Sequence, residues 1–94
     1  MANEVPVAEV RAIAEEQTAI EAIEASERRR LIVACLEVLS EDQRQVFIRH
    51  ELEGESVVEI ARSLNISENT AYSRLRLGRR RFTEAVRRRT SRSG

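Results

Sequence analysis

The chain has no lysine and no tryptophan, and among its 94 residues only one cysteine, one histidine, one proline and three glycines. Each scarcity excludes something. A lone Cys35 cannot form an internal disulfide. Its neighbours Val33, Ala34 and Leu36 predict a thiol buried in a core rather than a redox or nucleophilic one. A lone His50 with no Cys/His cluster cannot assemble a zinc site. Glycine-rich phosphate loops are missing too, so neither a metal nor a cofactor is expected. His50 lies beside Glu51 and Glu53 with no nucleophile or pocket signature, so a partly exposed helical histidine is expected and an enzyme is not. No stretch approaches the roughly 18 apolar residues of a membrane-spanning helix, and the N-terminus lacks a basic start followed by an apolar run. No membrane insertion and a cytoplasmic location are therefore expected. The length suits one small domain.

What is present is polarised. Residues 1–27 carry seven Glu and one Arg, residues 28–70 six Arg and eight acids, and residues 71–94 nine Arg and one Glu. The formal net charge of zero thus conceals an acidic start and a basic end, and the basic end is a candidate contact for a polyanion. All sixteen basic residues are arginine, whose flat fork suits phosphate and guanine; a coding bias toward arginine is the competing explanation.

The abundance of Ala, Glu, Arg and Leu points to an all-α domain. Residues 1–26 form an acidic linker or marginal N-terminal helix, residues 27–89 the domain, and residues 90–94 a disordered polar tail. The first domain helix, from Glu27 to about Leu39, places Leu31, Ala34, Cys35 and Val38 on one face. Ser40 and Gln43 form a capping box opening a second helix to about Leu52, which buries Val46, Phe47 and one of Ile48 or Leu52. Gly54 ends it. Ser56 and Glu59 form another box, and the third helix buries Val57, Ile60, Ala61 and Leu64. Asn65 stops it, being tolerant of the left-handed region. Ser67 caps the fourth helix, which runs to about Arg88 with Ala71, Leu75, Gly78, Phe82 and Ala85 inside.

Only Asn65, Ile66 and Ser67 separate the third and fourth helices. So short a link suits a steep crossing, the helix-turn-helix geometry. Its positional needs are met: small Ala61 at the crossing, Asn65 at the turn, Ile66 as a plug between the helices, and Ala71 packing inward. The second helix of such a pair enters the major groove. At about 100° per residue the apolar positions cluster within about 40° of Ala71, while Asn69, Tyr72, Ser73, Arg76 and Arg80 lie between about 100° and 200° from it. Glu68, Arg74 and Arg79 flank that side, and residues 69–83 contain no acid. Amide, hydroxyl and guanidinium groups on an acid-free face fit base edges and phosphates; a merely solvated face is the competing reading. Arg87, Arg88, Arg89 and Arg92 lie too far along for the same groove and suit salt-sensitive phosphate attraction, or serve as a solubilising end.

Four runs now resemble a known family: Leu39-Ser40-Glu41-Asp42-Gln43-Arg44-Gln45-Val46-Phe47, Glu51-Leu52-Glu53-Gly54, Glu59-Ile60-Ala61 and Asn69-Thr70-Ala71-Tyr72-Ser73-Arg74-Leu75-Arg76. In this order and spacing they resemble region 4 of bacterial sigma factors, most closely the extracytoplasmic-function (ECF) group, over about residues 28–88. The resemblance implies a small four-helix domain with a C-terminal helix-turn-helix of the winged-helix-like, sigma region 4 type. It implies recognition of the −35 promoter element in double-stranded DNA, docking on the β flap of core RNA polymerase, and sequestration by an anti-sigma factor. Thr70, Tyr72, Ser73, Arg74 and Arg76 match the family's recognition helix, and Arg79 and Arg80 its basic continuation. With Ser67 and Asn69 these make up the candidate DNA-binding set. Residues 1–27 stand where the family has a linker. Three departures stand out: no counterpart of the promoter-melting region 2, so the chain alone is not expected to open DNA; Asn65 in place of a turn glycine; and Gly78 in place of alanine, either for close packing or for a slight bend. Two other functions fit the pattern less closely: a module that chiefly binds polymerase or an anti-sigma factor through the Leu31/Ile32/Val33/Leu36 run and Leu77, and a dimerising response-regulator-type helix-turn-helix.

Overall fold

A computed structural model describes residues 23–91; residues 1–22 of the linker expected over residues 1–26, and the last three residues of the tail, lie outside them. Four helices follow one another: α1 (Ala25–Glu37), α2 (Glu41–Phe47) continuing into a wider π-turn (Ile48–Leu52), α3 (Val57–Leu64) and α4 (Glu68–Thr90). Helix α1 begins two residues before the expected boundary, and α4 extends one residue into the expected tail. No strand, and so no wing, occurs among the described residues.

Helix α1 sends Cys35 into the core, with Leu31 and Leu36 packed against it. Val38 departs from expectation. The helix ends at Glu37, Val38 serves as its C-cap and is 46% exposed, and Leu39 turns inward instead. The helix end is closed from outside: Arg44 of α2 donates Nε to the carbonyl of Leu36 (3.0 Å) and Nη2 to that of Leu39 (3.0 Å). The guanidinium adds to the bond that the Leu36 carbonyl accepts from Leu39 N at 3.1 Å, and it gives the Leu39 carbonyl, just past the helix end, a donor.

Both expected capping boxes form. Ser40 Oγ accepts from Gln43 N while Gln43 Oε1 accepts from Ser40 N, each at 3.2 Å. Ser56 and Glu59 repeat the arrangement at α3. After Phe47 the backbone widens, and Glu53 N bonds to the Ile48 carbonyl at 3.0 Å. Of the two apolar positions expected inside this stretch, Ile48 is half-buried and Leu52 is 56% exposed. Val46 and Phe47 are buried and already fill the inner side. Gly54, at φ 76°, then reverses the chain.

Helix α4 is the spine, packing on α1, α2 and α3. Its buried positions are the expected Ala71, Leu75, Gly78, Phe82 and Ala85, joined by Thr83 and Val86. The Thr83 hydroxyl is satisfied by donating to the Arg79 carbonyl at 2.7 Å. All three aromatic residues serve this core: Phe47 and Phe82 stack at 4.8 Å between ring centroids, and Tyr72 packs against the cluster.

Gly78 marks where α4 meets the α1–α2 corner. A methyl added there would lie 3.4 Å from the Gln43 carbonyl oxygen and 3.4 Å from Leu39 Cδ2. That is tight but still contact distance, so the approach does not require glycine, whereas glycine inside a helix costs about 1 kcal/mol relative to alanine. Gly78→Ala is therefore expected to stabilise the domain by up to about 1 kcal/mol, raising the thermal midpoint by several degrees. A lowered midpoint would mean that the corner cannot give and that glycine is there for the approach.

Candidate nucleic-acid interface

The joint between α3 and α4 is closed by backbone geometry. Asn65 adopts φ 59°, ψ 46°, the only non-glycine positive φ among the described residues. Ile66 N donates to the Ala61 carbonyl at 3.0 Å and Asn65 N to that of Arg62 at 3.3 Å. These 6→1 and 5→2 bonds are a Schellman motif, which ends a helix and turns the chain sharply in one step. Ile66 packs against the core as the hydrophobic part of that motif, and Ala61 and Ala71 are buried where the helices meet. Ser67 restarts the chain: its Oγ accepts from Thr70 N at 3.0 Å.

The steep turn leaves the far side of α4 uncovered. Asn69, Ser73, Arg76 and Arg80 are all exposed. Spaced by four, three and four residues, they make one stripe about 16 Å long at 1.5 Å per residue. Neither Arg76 nor Arg80 has an acidic partner among the described residues. Arg81, outside the candidate set, is also exposed on the flank of the stripe.

The other candidates are placed differently. Ser67 also donates its hydroxyl to Thr70 Oγ1 at 2.8 Å, so the two are turned toward one another at the helix start. Tyr72 is half-buried against the core. Arg74 lies 3.9 Å from Asp42, a loose and solvated pair. Arg79 departs most from its expected place in the DNA-binding set: its fork faces Glu51 Oε2 at 2.9 Å and Oε1 at 3.4 Å. Nothing local in the sequence signals that pairing, because the partners are 28 positions apart.

The carboxylate that holds Arg79 stands on the π-turn, which has clamps of its own. Arg49 makes a two-pronged pair with Glu55 at 2.8 and 2.9 Å, and His50 Nδ1 meets the Glu55 carbonyl at 2.8 Å. The Arg49 hydrogen bond holds the Glu55 carboxyl below its ordinary range, and the Arg49 charge adds to this. The clamp thus contributes stability above the ordinary carboxylate range and loses it as pH falls through the lowered one.

Residues 29–82 match the family model described as sigma-70, region 4. The chain belongs to the sigma-70 region 4 family. The matched segment takes in α3, α4 as far as Phe82 and the whole Asn69–Arg80 stripe. No curated protein and no solved structure matches the chain significantly. Sigma-70 region 4 is a non-enzymatic DNA-binding module of sigma factors, with promoter DNA and RNA polymerase as its family partners. None of its described helices is long and apolar enough to cross a membrane.

Proposed function

We propose that this domain reads the −35 element for an ECF-type sigma factor, with α4 lying in the major groove. One observation carries the reading: the second helix of the turn presents Asn69, Ser73, Arg76 and Arg80 to solvent with no acid among them. Asparagine suits adenine and arginine suits guanine, each through two hydrogen bonds to one base edge. Arg80 and Arg81 follow as phosphate contacts that fix the helix in register. A single helix-turn-helix makes few contacts, so binding in the absence of polymerase is specific but weak. Fluorescence anisotropy with a −35-like duplex and a scrambled duplex of the same length tests this. A several-fold preference for the promoter duplex at matched salt is expected, and identical affinities across a salt series would remove base readout.

Docking on the polymerase β flap, and capture by an anti-sigma factor, fit the apolar side chains left outside. Val33 on α1 is 51% exposed and Leu77 on α4 is 42% exposed. Val33 stands on a different helix from the Asn69–Arg80 stripe, whereas Leu77 borders it, about 40–60° around α4 from Ser73 and Arg80.

A further inference from the structure

We propose that Arg79 positions the DNA interface rather than touching DNA, and that Glu51 holds it in that role. The inference rests on the promoter-binding reading. By sequence, Arg79 is equivalent to its neighbours: it follows Arg76 by three positions, precedes Arg80, and lies within an acid-free run. The structure separates it from them. Arg79 Nη2 and Nε face the two oxygens of Glu51 at 2.9 and 3.4 Å, fork against fork, with the two side chains only 18% and 25% exposed.

Glu51 is not a loose surface acid. It stands on the π-turn Ile48–Leu52, held on one side by the Arg49–Glu55 pair and the His50–Glu55 bond. His50 Nε2 lies 3.6 Å from the same Glu51 carboxylate. The carboxylate is therefore presented to α4 from a tethered turn, and a two-pronged pair keeps an arginine in one orientation.

Two consequences follow. Arg79 is already neutralised, so it releases no counterion when DNA binds. The pair also ties α2 to the middle of α4, between the points where Arg76 and Arg80 leave the helix, and so fixes the direction in which those two side chains are offered. The wide turn carries Glu51 out to that position, so Arg79 and the turn act as one strut.

The salt dependence of duplex binding tests this, because an Arg79 on phosphate adds to the slope whereas an Arg79 held by Glu51 does not. Wild type, Arg79→Gln, Glu51→Gln and the double variant are titrated with the same promoter duplex over a salt series, with thermal melts confirming that each is folded. Arg79→Gln is expected to leave the slope of log K against log salt unchanged. Glu51→Gln should steepen it by about 0.9, the contribution of one new phosphate contact, as Arg79 is released. The double variant should return to the wild-type slope. Glu51→Asp keeps the charge but shortens the reach, and should steepen the slope by less; it takes over if Glu51→Gln does not fold.

A slope lowered by about one in Arg79→Gln would overturn the proposal, because Arg79 would then already be on a phosphate. So would a Glu51→Gln gain that persists in the double variant, which would reflect only the loss of a negative charge, or no gain in any Glu51 variant. Wild-type protein without salt-dependent duplex binding would instead overturn the promoter-binding reading, and this inference with it. Arg76→Gln, which should lower the slope or the promoter preference, separates the two failures.

Discussion

Exchanging Arg76 and Arg80 together for alanine is expected to abolish measurable binding to a −35-like duplex while the domain stays folded. Arg76 stands near the centre of the exposed stripe with no acid to compete for it. A two-pronged contact with a guanine edge is worth about 1–3 kcal/mol in discrimination. Arg80 lies one turn further on, and losing its phosphate contact should lower the salt slope by about one. Together the losses exceed tenfold, enough to take a weak isolated domain out of range. Both side chains are on the surface, so the melting transition should shift only slightly, within about 0.5 kcal/mol per site. Anisotropy and a thermal melt on the same preparation decide the outcome. Full affinity in the double variant would move the DNA contact off α4 altogether.

The paired variants separate roles that the sequence merges. From residue 74 to residue 81 the chain carries five arginines, and linear spacing sorts them only by the side of the helix on which they fall. That sorting works for Arg76 and Arg80, because solvent exposure on a long helix follows its rotation. It fails for Arg79, because what decides its role is an acid brought in from another element. Arg44 shows the same limit: nothing in its neighbourhood reveals that its guanidinium closes the end of α1 eight positions back.

Features set by a few adjacent residues were legible. Both capping boxes form at Ser40 and Ser56, and Asn65 takes the positive φ that the joint needs. Each rests on hydrogen bonds spanning five residues or fewer, so residue type and offset suffice. The inner face of α4 was legible too, through a long and regular apolar period. Val38 and Leu52 show where periodicity stops helping. Val38 matches the apolar face of α1, but the helix ends one residue earlier and Leu39 takes the inward place. The wide turn after Phe47 has no local signature, yet it is the part that brings Glu51 to α4. The exposed face of α4 was thus readable, and the wiring behind it was not.

Phe82→Ala is expected to unfold most of the domain. Phe82 stacks on Phe47 at 4.8 Å, and these are the only two phenylalanines in the chain. Removing such a ring from a core costs about 3–5 kcal/mol, because the cavity closes only in part. A domain of this size has only a few kcal/mol to lose, at about 0.05–0.15 kcal/mol per residue. The pair joins α4 to α2, so its loss releases the helix that carries the interface from the element that braces it. Urea titration followed by circular dichroism should show a greatly lowered midpoint or no folded baseline. Leu77→Ala, which removes an apolar side chain already 42% exposed, should cost less than about 1 kcal/mol. A Phe82→Ala protein as stable as Leu77→Ala would mean that the core repacks around the gap. The comparison also guards the DNA experiments: Phe82→Ala should lose helix and DNA together, whereas the Arg76 and Arg80 variants should lose DNA with their helices intact.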